Sequence, residues 1–171
     1  MQSTPGFCPS YLGSPSDNNA ATRSNGFGTV LTQYADLKKV GSQVGNWDRT
    51  QGHDKMQSLL QANPNVIGVI SGNDEMALGA IAALKEAGKL SSIKVGGFDG
   101  SPDAVAAVKS GELAYTVLQP VATFAAKAVD EADAFIKSGK TGATTEKQLF
   151  NCILITRANA GRFVGPFTLE K

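Results

Sequence analysis

Short apolar runs alternate with amphipathic segments along most of the chain. The run at 66–71 is apolar at consecutive positions, which is typical of a parallel strand covered by helices on both faces. Between such runs, apolar residues recur every three or four positions, as they do on the inner side of a helix. Alternating strands and helices with short connections predict an α/β fold of three layers, with a mostly parallel, doubly wound sheet and right-handed crossovers.

Residues that begin or end helices place the segment boundaries. Asp48 and Ser101 are suited to N-caps, and Gly88 is typical of a helix C-terminus. Asn63 is pushed out of the helical region by the proline that follows it. The expected helices are at 19–34, from Asp48 to Asn63, at 75–87, from Ser101 to Gly111 and at 121–137, and the expected strands are at 39–44, 66–71, 93–98, 114–118 and 152–156.

Two of these helices have apolar residues that indicate one packing side. On the helix at 19–34 the residues available for the inner face are Ala21, Phe27, Val30 and Leu31. On the long amphipathic helix at 121–137 the residues along one side are Phe124, Ala128, Ala132 and Phe135.

The first dozen residues differ from the rest of the chain. Pro5, Gly6 and Pro9 lie where the first strand of the sheet should run, and a proline cannot donate to a central ladder. We therefore expect no strand there. The predicted division is an atypical segment at 1–13, the α/β body at 14–119, a helix and loop at 120–150, and a final strand and tail at 151–171.

Length, composition and charge limit the possible classes of protein. The chain has 171 residues, 42% hydrophobic and 18% charged, which suits one well-packed domain. Its formal net charge is +1 and its basic residues do not cluster, so we expect no nucleic-acid partner. The apolar runs are too short for membrane insertion, and MQSTPGFCPSYLG lacks the features of a signal peptide. Cys8 and Cys152 have no CxxC spacing, which favours two reduced thiols over a disulfide or a metal site.

Residues that could support catalysis or bind a metal are scarce. His53 is the only histidine, and we expect a solvated surface imidazole. The run SGKT lacks the phosphate-loop glycine, because Ala134 occupies that position, and it follows a helix instead of a strand. Asp74 and Glu75 are explained by the preference for acidic residues in the first turn of a helix. We therefore expect no catalytic residue, no metal site and no cofactor, and predict that the chain is not an enzyme.

Three polar side chains follow three successive predicted strands, namely Asn73, Asp99 and Gln119. Ligands bind outside the carboxyl ends of the strands in an open parallel sheet, so we expect these residues to share a site. Arg23 adds a forked donor and Trp47 adds an aromatic face. Such a set suits a neutral sugar or polyol, whose hydroxyls both donate and accept and whose ring has apolar C–H faces.

Four of these five residues also have a simpler interpretation. An aspartate before glycine, as at Asp99, is common in turns, and a single tryptophan such as Trp47 is common in cores. Gln119 is compatible with a loop, and Arg23 with a solvated helix cation. Their shared position at one edge of one sheet favours the binding site.

Four segments closely resemble a known family: NWDRTQGHDKMQSLLQANP, SGNDEMALGAIAALKEAGK, VGGFDGSPDAV and TVLQP. They are similar to the ribose-binding branch of bacterial periplasmic sugar-binding proteins, the solute receptors of ABC importers, which have the type 1 periplasmic-binding-protein fold. The likeness extends from about residue 14 to the C-terminus. It implies that Arg23 is a sugar-binding arginine, that Trp47 is the stacking aromatic, and that the hydroxyl-binding groups are Asn73, Asp99 and Gln119.

The resemblance implies a partial receptor. Members of the family hold a monosaccharide or sugar alcohol between two lobes and deliver it to an ABC permease, whereas this chain resembles only the C-terminal lobe and the return segments. The helix at 121–137 would pack on the missing lobe, so without that lobe we expect self-association or a loosely held helix. The resemblance also implies a periplasmic location. Ribose binders usually have phenylalanine where this chain has Trp47, so the wider indole argues against ribose itself.

Two other functions are weighed against the receptor. The effector-binding core of a lac-repressor-type transcription regulator shares this fold, but no helix-turn-helix headpiece precedes it in this sequence. A small α/β enzyme acting on a nucleotide or phosphosugar would need a phosphate loop, a nucleophile elbow or a base, and the sequence has none of these.

Overall fold

The computed structural model describes residues 6–165 and 167–169, with side chains described for 13–165, 167 and 168. Strands and helices alternate, and a short antiparallel pair ends the described chain. The strands are β1 Gly6–Leu12, β2 Lys38–Lys39, β3 Gln43–Val44, β4 Val66–Ser71, β5 Lys94–Gly96, β6 Tyr115–Leu118, β7 Ile153–Thr156, β8 Phe163–Gly165 and β9 Thr168–Leu169. The α-helices are α1 Asn18–Leu31, α2 Arg49–Ala62, α3 Asp74–Glu86, α4 Pro102–Ser110 and α5 Val121–Ser138.

The main sheet has the order β2-β1-β4-β5-β6-β7, and β3 also pairs with β1. Every pair in this sheet is parallel except β6–β7, so the predicted mostly parallel α/β fold is confirmed. Strand order reverses between β1 and β4, because β2 and β3 lie on one side of β1 and β4 on the other. That reversal is the place where an open α/β sheet forms a crevice at the carboxyl ends of its strands.

The expectation that the N-terminal segment contains no strand was wrong. Strand β1 lies inside the sheet, even though Pro9 is at its middle. Between Cys8 and Tyr11 it advances three residues while β4 advances two, from Val69 to Ser71, so a bulge spans the proline. On the other side, β1 pairs with β2 before the proline and with β3 after it. Because of the bulge and this gap, neither neighbouring strand needs the N–H group that Pro9 lacks. The gap also explains why two short strands, β2 and β3, occupy the segment predicted as one strand at 39–44.

The inner side of helix α1 agrees only in part with the one predicted. It begins after the N-cap Asp17, as the turn-forming residues suggested, and Ala20 is its one buried residue among those described. Ala21 and Val30 are exposed, whereas Phe27 is half-buried. The inner side follows the spacing 20, 23, 27 and 31 and therefore contains Arg23. The predicted inner side was right for Phe27 and Leu31 and wrong for Ala21 and Val30, because the prediction followed apolar residues and did not include the inward cation.

Helices α2, α3 and α4 agree with the predicted segments to within one or two residues. Met56 and Met76 are fully buried between them and the sheet, and so are Leu84 and Val95. Their caps match the sequence signals: Asp48 accepts from the Gln51 backbone, and Gly111 is left-handed. These elements form the buried core that holds the carboxyl edge of the sheet in place.

Helix α5 differs from the other helices because none of its residues is buried. Val129, Phe135 and Ile136 are exposed to 68%, 57% and 83%. Its described contacts are with the loop that follows, where the Phe124 and Phe150 ring centroids are 4.9 Å apart. None of the described helices has the length and hydropathy of a membrane span. The Cys152 thiol is free and exposed, and the side chain of Cys8 lies outside the described residues.

Candidate ligand-binding site

A shallow depression lies at the carboxyl edge of the sheet, beside the strand-order reversal. Six residues line it: Asp17, Asn19, Arg23, Trp47, Asn73 and Asp99. Gln119 joins this set through a hydrogen bond from its Nε2 to Asp99 Oδ1, at 2.7 Å. The structure therefore brings together all five residues that the sequence placed in one site.

Arg23 is held at the centre of the depression by contacts in several directions. Its Nη1 donates to the Gly72 carbonyl at 2.6 Å and lies 3.3 Å from Asp99 Oδ1. Its Cζ lies 4.1 Å from the centroid of the Phe98 ring and 5.3 Å from that of Trp47. The side chain is only 14% exposed, so the interpretation of Arg23 as a solvated helix cation is wrong.

Asp99 combines a half-buried carboxylate with a strained backbone. Burial raises its pKa to about 6, opposed by the charge of Arg23. Its φ is +130°, a value that favours glycine, although neighbouring strands hold its backbone: its N–H donates to the Val117 carbonyl. Among the described residues, Arg23 and Gln119 both contact Oδ1, which leaves Oδ2 for a ligand. The carboxylate can therefore accept ligand hydroxyls without losing its protein contacts.

Trp47 is positioned by an unusual turn and by a glycine. Its φ is +64° and that of Asn46 is +49°, so two consecutive residues are left-handed. The indole lies directly on Gly13, where an added Cβ would be 1.8 Å from the ring. Trp47 is half-buried and also packs against the core, so it has a structural role as well as a face on the depression.

Asn73 is partly occupied by the protein itself. Its Oδ1 caps α3 by accepting from the Met76 backbone at 3.0 Å, and its Nδ2 donates to the Trp47 carbonyl at 3.2 Å. An amide has a second lone pair and a second N–H, so one acceptor and one donor position remain. The residue is only 6% exposed, so its first contribution is to tie the turn of Trp47 to the start of α3.

Asp74 is a buried structural residue that the sequence did not identify. Its Oδ1 accepts from Thr116 Oγ1 at 2.7 Å, and its Oδ2 accepts from the Ser101 backbone at 2.8 Å. Burial raises its pKa. Asp74 thus joins the starts of α3 and α4 to strand β6. This role goes beyond the favourable interaction with the helix dipole that the sequence predicted. Glu75 lies at the surface and pairs with Arg49 Nε at 2.8 Å.

Sequence reasoning also missed Gly13, Asp17, Asn19 and Phe98. Asn19 and Arg23 are four residues apart on one helix, a spacing that could have placed both on the same face. Phe98 precedes Asp99 in the segment GFDG and was treated only as the end of a strand. The contact of its ring with Arg23 joins residues 75 positions apart, which no local pattern reveals.

His53 lies outside the depression, on α2. Its ring nitrogens contact Asp54 at 3.0 Å and Glu86 at 2.9 Å, and these two contacts raise its pKa. Over 6–165 and 167–169, no group of three or more His, Cys, Asp or Glu residues is placed to hold a metal ion. The residues that line the depression offer hydrogen-bond donors, hydrogen-bond acceptors and an indole face.

Known proteins show the same fold and similar sequences. Residues 11–141 match the family described as periplasmic binding protein domain. A D-apiose import binding protein of Actinobacillus succinogenes is 49% identical over 94% of this chain and 51% of its own length. A ribose import binding protein of Salmonella typhimurium is 44% identical over 72% of this chain and 41% of its own length. The chain spans about half the length of the curated relatives it matches.

A solved structure extends this likeness to three dimensions. An ABC transporter periplasmic solute binding protein from Actinobacillus succinogenes, with bound D-allose, superposes with a TM-score of 0.88 at 28% identity. The match covers 94% of this chain and 56% of that one. The shared fold therefore accounts for about half of that longer chain.

Proposed function

The chain belongs to the periplasmic binding protein domain family, and on that premise we propose that it forms one jaw of a sugar receptor for ABC-type import. The jaw binds a monosaccharide or sugar alcohol without covalent chemistry. The observation that carries this proposal is the convergence of Arg23, Trp47, Asn73, Asp99 and Gln119 on one depression at the strand ends. These groups offer donors, acceptors and an indole face to a neutral polyol.

The ligand is a neutral polyol of pentose size, with D-apiose tested first and D-ribose second. The relatives reported above are named for these two sugars, and the one named for D-apiose shares more of its sequence with this chain. Trp47 presents a wider face than the phenylalanine expected in a ribose site. The relatives are solute-binding transport proteins, so the chain acts by binding in the periplasm and not by catalysis. They give the transcription-regulator alternative no support.

The exposed side of α5 belongs to the same proposal. It has large apolar side chains at Phe135 and Ile136 and no buried residue. An exposed apolar face of this kind associates with a partner. In the 171-residue chain, a second copy of α5 covers this face, because each copy supplies the same apolar side.

The test is a titration of the isotopically labelled chain with D-apiose, D-ribose and a non-polyol control, followed by NMR. We expect millimolar binding, because only one jaw is present, with shifts at the Trp47 indole and the Gln119 side chain. Asp99→Asn should weaken binding roughly 10- to 100-fold, since it removes a charged hydrogen-bond acceptor. Asp36→Asn, a change at an exposed carboxylate outside the depression, should leave it unchanged. Equal affinity in both variants, or no shift at the depression with any polyol, would overturn the proposal.

A further inference from the structure

The guanidinium of Arg23 lies over the rings of both Phe98 and Trp47. The distance from Arg23 Cζ is 4.1 Å to the Phe98 centroid and 5.3 Å to the Trp47 centroid. Both lie within the roughly 6 Å over which a cation is attracted to a ring face. The shorter distance belongs to Phe98, a residue with no role in the site described so far.

Core packing does not account for Phe98. The buried apolar cluster and the partly buried side chains that pack against it include Trp47, Phe163 and Phe167, but not Phe98. Phe98 is nevertheless half-buried, beside a strained residue at the ligand edge of the sheet. In the part of the chain with described side chains, its recorded ring contact is with Arg23.

The polar contacts that Arg23 makes with described residues involve one of its nitrogens. Nη1 donates to the Gly72 carbonyl and faces Asp99. Among the described residues, none accepts a hydrogen bond from Nε or Nη2. A guanidinium held at one nitrogen can still turn about that point. A ring against its face blocks this motion while leaving the remaining N–H groups at the edge.

We propose that Phe98 is a positioning residue: its ring holds the guanidinium of Arg23 so that the free N–H edge faces ligand hydroxyls and Nη1 stays beside Asp99. The benefit of this arrangement for binding rests on the proposed polyol site, whereas the contact between Phe98 and Arg23 is present in the chain without ligand. A ligand bound to Asp99 and Gln119 then meets the Arg23 donor already in place. This lowers the entropy cost of ordering that side chain on binding.

The experiment compares Phe98→Leu and Phe98→Tyr in the full chain without ligand. Leucine keeps an apolar side chain but removes the ring face, so the Arg23 Nε–H signal should lose its ring-current shift. Arg23 should also spend less time beside Asp99, so the pKa of Asp99, followed by carboxyl NMR, should rise further. Tyrosine keeps the ring and should restore both signals. With D-apiose, the leucine variant should bind roughly three- to thirtyfold more weakly.

Arg23→Lys gives a second test that leaves the ring in place. The Phe98 ring protons should shift, whereas those of Phe124, which contacts Phe150, should not. Unchanged Arg23 and Asp99 signals in Phe98→Leu, unchanged Phe98 signals in Arg23→Lys, or unfolding of both Phe98 variants would overturn the inference. A wild-type chain that binds no polyol while these signals respond would instead defeat the proposed function alone.

Discussion

At the scale of single residues, backbone strain is concentrated in the candidate site. Among the described residues, the non-glycine residues with positive φ are Asn46, Trp47, Asp99 and Phe167. Two of these four, Trp47 and Asp99, are proposed to contact ligand. Such conformations cost of order 1–3 kcal/mol each and persist only where surrounding structure enforces them. Here the Val117 carbonyl and the Asn73 amide supply that support.

The half-buried carboxylate of Asp99 should make the free energy of unfolding depend on pH. Its pKa in the folded chain is about 6, raised by burial from an ordinary value of 3.8. Between these values the folded state binds more protons than the unfolded state, so the free energy of unfolding falls as pH rises. The contribution is therefore complete below about pH 4 and lost above about pH 6.

Asp99→Asn should remove this part of the pH dependence. Urea unfolding should show that, between pH 4 and pH 7, the free energy of unfolding falls by about 1–3 kcal/mol more for the wild type than for the variant. This range allows for solvent screening, because the carboxylate is partly exposed. Asp74 titrates in the same direction and remains in both chains. Asp36→Asn should keep the wild-type decline, and matching slopes for wild type and Asp99→Asn would contradict the assignment.

At the scale of elements, α2 and α3 pack so closely that no side chain fits at two glycine positions in their contact. A Cβ at Gly79 would lie 2.0 Å from the Arg49 carbonyl oxygen, and one at Gly52 would lie 2.6 Å from the Met76 carbonyl oxygen. The obstacles are backbone atoms, which cannot rotate away. The glycine in the segment NDEMALGA is therefore required by the helix contact and not by ligand.

Gly79→Ala should destabilise the chain by about 1–3 kcal/mol or more, because the helices must separate. Gly26→Ala is the matched change in α1, where a Cβ meets nothing within 4 Å. It should stabilise the chain by roughly 0.5–1 kcal/mol, since alanine loses less entropy in a helix. Chemical denaturation measures the free energy of unfolding of both variants. Similar changes in the two would show that the close contact between α2 and α3 does not require glycine at position 79.

At the scale of the whole molecule, the proposed self-association through α5 can be tested by adding a charge to its exposed apolar side. Ile136→Glu places a charge on the exposed apolar side, so it should shift dimers toward monomers in size-exclusion chromatography with light scattering. Ala126→Glu adds the same charge on the polar side, near Asp130, and should leave the oligomeric state unchanged. A wild-type chain that is monomeric with α5 fully protected from hydrogen exchange would contradict the proposed self-association.

The sequence predicted the elements whose signals are local. Strand β4 and helices α2, α3 and α4 carry their own apolar spacing, caps and glycine ends, so they agree closely with expectation. Asn73, Asp99 and Gln119 were predicted to share a site because parallel strands bring their carboxyl ends to one edge, and Arg23 and Trp47 were added for the chemistry of their side chains. The division into segments at 14, 120 and 151 stays a prediction, apart from the first segment, where β1 joins the sheet.

Only the tertiary structure decided the features that depend on distant partners. Strand β1 tolerates Pro9 because its neighbours on both sides leave a gap there, and those neighbours are remote in sequence. The inward side of α1 depends on Arg23 finding Gly72, Phe98 and Asp99. The amino-acid sequence alone determined where most strands and helices end, because local periodicity and capping residues set those positions, and from these ends it predicted which side chains bind a polyol. Their spacing, burial and protonation depend on contacts between separate elements, which exist only once the sheet has formed.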